Sequence, residues 1–159
     1  MKKVINIAYI LVATVALYSC TQDVDYKAVR EEVIFEHDKL MEDESRMMNV
    51  KMKLDTLAAT GIAKLNVEQP ALDTTKTRAD VAQLTAKLNA ATDQMSKWME
   101  SFQTDVQGKS NLEAVAYFEN EKIKVHKLDS VYRSALDEAE AYLNKFGIKV
   151  DGGGHAEYH

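Results

Sequence analysis

Apolar positions recur along this chain with the spacing of three long helices. In the first, Val29, Val33, Leu40, Met47, Leu54 and Ala58 follow one another at helical steps, as a single buried face requires, and predict a helix over 24–60. Gly61 then offers a C-terminal stop. Residues 62–76 contain Pro70 and a threonine pair and read as an irregular connection. A second stripe, Val81, Leu84, Leu88, Ala91, Met95, Trp98, Phe102 and Val106, predicts a helix over 78–106, with Thr77 as its cap and Gly108 as its end. The third begins at Ser110-Asn111-Leu112-Glu113, which has capping-box spacing. Its stripe runs through Val115, Phe118, Val125, Leu128, Tyr132, Ala135, Ala139, Tyr142 and Phe146 to a stop at Gly147, predicting a helix over 111–146. No alternation of period two competes, so the expected fold is all-α, an antiparallel three-helix bundle over 24–148 with a mobile tail over 149–159.

The N-terminal segment is of another kind. Lys2 and Lys3 precede an apolar run from Val4 to Tyr18, and small residues lie near its end. A basic start and a short apolar stretch describe a secretory signal peptide over 1–19. The run is shorter than the roughly 20 residues a membrane-spanning helix needs; an uncleaved anchor helix is the alternative. Leu17-Tyr18-Ser19-Cys20 resembles a bacterial lipobox, although Tyr18 stands where that motif usually has a small residue. The resemblance implies cleavage before Cys20 and lipid attachment to its thiol, leaving 20–23 as a lipidated N-terminus. A single cysteine fits this role, because it has no partner for an internal disulfide. The expected location is the bacterial cell envelope, anchored in a membrane through Cys20 and facing the periplasm or the cell surface.

Charge narrows the partners. The formal charge is −5, and removing 1–19 takes Lys2 and Lys3 with it and moves the total to −7. A nucleic-acid footprint would need clustered excess Lys and Arg, so no nucleic-acid partner is expected. A three-helix unit can instead recruit a helical partner or a second copy of itself.

Signatures of catalysis are missing from the sequence. It contains no Gly-rich phosphate loop, no His-Glu-x-x-His and no Glu-x-x-His, and a non-enzymatic protein is expected. One pattern remains. Apart from Met1, the methionines fall in two windows: Met41, Met47, Met48 and Met52, then Met95 and Met99. His37, Met41, Glu44 and Met48 share one helical face, as do Met95, Trp98, Met99 and Phe102. Met41 lies 19 residues before Thr60, and Met95 lies 18 after Thr77. With a rise of about 1.5 Å per residue in both helices, the two meet at similar height and His37 falls opposite Met99. Thioether and imidazole donors suit a soft ion such as Cu(I), and an indole face adds a cation–π contact. The expected ligands are His37, Met41, Met95 and Met99, with Trp98 capping them and Met48 in second rank. The alternative is a structural or partner-binding protein in which the same side chains only fill a helical core.

The runs FEHDKLMEDESRMMNVKMKLDTL (35–57), ATDQMSKWMESF (91–102) and YFENEKIKVHKLDSVYRSALDEAEAYL (117–143) resemble small Bacteroidota lipoproteins labelled "viral A-type inclusion protein". The matching motifs are His37-Asp38-Lys39-Leu40-Met41 and Met95-Ser96-Lys97-Trp98-Met99. The resemblance implies a lipidated helical protein and brings no reaction with it.

Overall fold

A computed structural model describes residues 24–150 of the chain. The expected signal peptide, the lipobox with Cys20, and the tail from 151 onward lie outside the described residues. The described residues form helices and the connections between them, with no strand among them. Three arms run up, down and up around one core. The first consists of α1 (Tyr26–Met41), α2 (Glu44–Thr56), a π-helical turn (Leu57–Gly61) and α3 (Ile62–Glu68). The second is α4 (Thr74–Ser101) and the third α5 (Asn111–Asn144).

The predicted faces become the core. Val29, Val33, Leu40, Met47 and Leu54 are buried against Val81, Leu88, Ala91 and Met95 of α4, and against Phe118, Val125, Tyr132, Ala135 and Ala139 of α5. Fully burying one aliphatic or aromatic side chain contributes about 1.5–3 kcal/mol, so these three stripes supply the main drive for assembly. Ala114, Leu136 and Leu143 join them from flanks of the α5 stripe.

The first arm departs from the expected single helix in two places. It steps at Glu42–Asp43, where the Asp43 amide turns back to the Leu40 carbonyl, three residues before it, at 3.2 Å. Asp43 is buried there, and its carboxylate lies 3.6 Å from Arg46, one turn further on. The second departure is at Gly61, which does not stop the helix. The chain widens into the π-helical turn and continues to Glu68. A Cβ on Gly61 would lie only 2.9 Å from Leu57 Cδ1. In this turn glycine therefore serves close packing and not termination. The widening brings both Leu57 and Ile62 into the core, and Arg78 of α4 donates to the Ala58 carbonyl at 3.0 Å.

Other ends shift as well. The α4 cap is Asp73, whose carboxylate accepts the Lys76 amide at 2.9 Å, so the helix starts before Thr77. Thr77 is itself buried and donates its hydroxyl to the Asp73 carbonyl. At its other end α4 stops at Ser101, because Phe102 turns extended and stacks on Trp98 with ring centroids 4.8 Å apart. Val106 is buried from the connection, outside any helix. Gly108 and Gly147 both take positive φ, +82° and +68°, which glycine adopts without steric cost. Of the expected tail, Val150 packs against the core.

The α5 capping box is complete: the Glu113 amide reaches Ser110 Oγ, and Glu113 Oε2 accepts from the Ser110 amide at 2.8 Å. Hydrogen bonds from the Ser110 backbone and then from its hydroxyl hold the Glu113 carboxyl below its ordinary value of 4.5. A folded pKa below the unfolded one means that the contribution is whole above pH 4.5 and is lost as pH falls through the folded value. Urea unfolding of the wild type and of Glu113→Ala is therefore expected to converge as the pH drops below 4.5. A stability difference that stays constant into strong acid would refute this role.

Candidate functional site

Trp98, on the last turns of α4, occupies the junction of all three arms. Its indole is buried, and its Nε1–H donates to Glu121 Oε2 of α5 at 2.9 Å. Glu121 is only 3% exposed, an unusual place for a carboxylate. Its second oxygen accepts from Lys124 Nζ at 2.6 Å, one turn along the same helix. Both carboxylate oxygens are thereby engaged, as burial of a charged group demands.

The other face of the site comes from α1. The His37 ring lies 5.4 Å from the Trp98 ring, tilted by 32°. His37 Nδ1 is 3.1 Å from Asp38 Oδ1. A carboxylate only accepts, so this contact places a proton on Nδ1 and, in the neutral imidazole, leaves the lone pair on Nε2. His37 Nε2 is buried and has no hydrogen-bond partner among the described residues. It is a free nitrogen donor beside an aromatic face.

The expected sulfur ligands divide. Met41, one turn after His37, is half-buried against the core. Met95, one turn before Trp98, is fully inside it. Met99 follows Trp98 and is 43% exposed, so it points substantially to solvent. Met48 and Met52 are exposed on α2, and Met47 belongs to the core. His37 thus meets Trp98, the neighbour of its expected counterpart Met99. The register survives because the first two arms stand level at the Arg78–Ala58 contact, which is 21 residues after His37 and 20 before Trp98. The extra residues of the π-turn and α3 run beyond that point. Among the described residues no group of three or more His, Cys, Asp and Glu side chains is arranged to hold a metal ion. An ion at His37 would need thioether donors.

Glu121 is the site residue that the sequence reading missed. The signal for it lies in the stripe of α5: Phe118 and Val125 are seven residues apart, and Glu121 fills the intervening core position. A second polar group sits farther along the arms. Arg46 grips Glu140 of α5 with two bonds of 2.6 and 2.8 Å, next to Asp43. That hydrogen-bonded pairing raises the Arg46 pKa above its ordinary value, against the effect of burial. Tyr132 is buried nearby, and desolvation, then the Glu44 charge, pushes its phenol up.

Compared with known proteins, the chain gives no significant match to a family model, a curated protein or a solved structure.

The Trp98–Glu121 bond generates a measurable coupling. Trp98→Phe leaves a buried carboxylate oxygen without its donor, which costs about 1–3 kcal/mol beyond the change in volume. Glu121→Leu in the same background is expected to recover part of that loss. A double-mutant cycle by urea denaturation measures it, and independent, additive effects would show that the bond contributes nothing.

Proposed function

We propose that this chain is a non-enzymatic lipoprotein of the bacterial cell envelope, anchored through lipid on Cys20, whose helical bundle binds a soft metal ion, Cu(I), at His37. Met41 and Met95 supply sulfur from the two helices, Met99 closes the site from the solvent side, and Trp98 caps it. The observation that carries this reading is the buried Nε2 of His37, unpartnered among the described residues, with Nδ1 held by Asp38. A carboxylate on one ring nitrogen and a bare lone pair on the other is the arrangement found in metal-bound histidines, where the outer partner fixes tautomer and ring orientation. Thioethers and imidazole favour Cu(I) over harder ions. Lipid at Cys20 fits the basic and apolar N-terminal run and the absence of any second cysteine. In this reading anchoring falls to the acyl chains, each buried methylene contributing about 0.8 kcal/mol.

A second reading has an observation of its own. Met95 is wholly buried and Trp98 already has its hydrogen bond, while Met99 is substantially exposed. These are the properties of core packing in a structural or partner-binding bundle.

Anaerobic titration of the Cys20→Ser chain lacking residues 1–19 separates the two. Cu(I) is expected to compete with a chelator and to quench the fluorescence of Trp98, the only tryptophan. The double change His37→Ala, Met41→Ala is expected to abolish binding with the helical circular dichroism retained. If even a weak chelator keeps all the copper, the metal reading is lost. The packing reading predicts that Met→Leu at 41, 95 and 99 costs less than about 1.5 kcal/mol each.

A further inference from the structure

The segment that follows Cys20 is held by one side chain. Asn111, the first residue of α5, donates Nδ2–H to the Val24 carbonyl at 2.8 Å and accepts the Tyr26 amide on Oδ1 at 3.0 Å. This two-point clamp joins residues 85 and 87 positions apart. It lies at the end of the arms where α1 and α5 begin and where the α4–α5 connection turns. Tyr26 stacks on Phe118 beside it, with centroids 6.1 Å apart and planes within 10°. The end is therefore rigidly built.

Two large apolar side chains are nevertheless turned outward there. Val24 is 57% exposed, and Leu112, next to the clamp, is 79% exposed. Cys20 stands four residues before Val24. An extended chain covers at most about 3.6 Å per residue, so a lipid on Cys20 lies within about 14 Å of Val24. The charges that flank the clamp in sequence, Asp25, Lys27, Lys109 and Glu113, are mixed in sign and form no run of cations for anionic headgroups. Apolar contact and the tether are what this end offers.

We propose that this end is a membrane-docking face: Asn111 clamps the start of the first arm so that Val24 and Leu112 rest on the lipid bilayer surface. The inference rests on the reading of Cys20 as lipidated. His37 is 11 residues along α1 from Tyr26, which puts the site about 16 Å from the docked end. The opposite end, where Val67 is 80% exposed, is held away from the lipid.

The test uses the full chain expressed in a bacterial host and purified from its membranes, with Leu112→Cys or Val67→Cys carrying an environment-sensitive fluorophore. Each is placed in phosphatidylcholine–phosphatidylethanolamine vesicles with and without lipid-borne quencher. The label at 112 is expected to shift to the blue and to be quenched, and the label at 67 to do neither. Adding Asn111→Ala is expected to reduce quenching at 112, with the chain still floating with the vesicles and its helical signal unchanged. Equal quenching at the two positions, or a label at 112 that stays in water on lipidated protein, overturns the docking face. Quenching at 112 that is indifferent to Asn111→Ala overturns the role of the clamp. Mass spectrometry of the N-terminal peptide separates the two readings: a Cys20 without acyl chains removes the anchor and this inference with it, whereas an acylated Cys20 with no docking removes the inference alone.

Discussion

Burial of one seam on α5, from Ala114 through Phe118, Val125, Leu128, Tyr132, Ala135 and Ala139 to Leu143, orders the other two arms. The seam extends along nearly the whole helix, and both α1 and α4 pack against it. Close-packed interiors respond to even single methylene changes, so the seam sets how near each arm can come. The apolar contact is non-directional, however, and by itself says little about how far one arm has slid along another.

Polar contacts at two levels supply that missing direction. Near one end the Trp98 indole and the Lys124 ammonium engage both oxygens of Glu121. Farther along, Arg46 takes both oxygens of Glu140. Exposed ion pairs such as Lys76–Asp80 are screened by water and do little to fix register. The inner groups differ because a slip of one turn would take the Trp98 donor from the buried Glu121 and Arg46 from the half-buried Glu140, and a buried carboxylate oxygen that loses its donor costs about 1–3 kcal/mol. They therefore select one register among several that the apolar stripes would tolerate. Asp43 belongs to the same logic: its burial beside Arg46 coincides with the step between α1 and α2.

The candidate site sits where one such register contact meets an unsatisfied group. Glu121 immobilises Trp98, and Trp98 presents its face to His37. The indole is thus held in place before any ligand arrives. His37 is held from the other side by the exposed Asp38, a weaker restraint. On the proposed reading this asymmetry makes the imidazole the adjustable partner and the indole the fixed wall. The site is nearer to the clamped end of the arms than to the π-helical turn.

Much of this was legible in the residues alone. The buried faces of all three arms, the Ser110–Glu113 capping box and the turn at Gly147 follow from side-chain periodicity and local hydrogen bonding, which act within a few positions along the chain. The nearness of His37 and Trp98 also followed, because helix rise is constant and the first two arms stand level. Other features were decided only in the tertiary structure. The step at Asp43, the passage of the helix through Gly61 and the early end of α4 at Phe102 all override local signals in favour of packing against another arm. Glu121 stands at a core position of the α5 stripe, but it is the α4 indole that satisfies its buried carboxylate oxygen. A charged residue becomes a core residue only when a donor arrives from elsewhere, and where that donor will be is a property of the assembled arms.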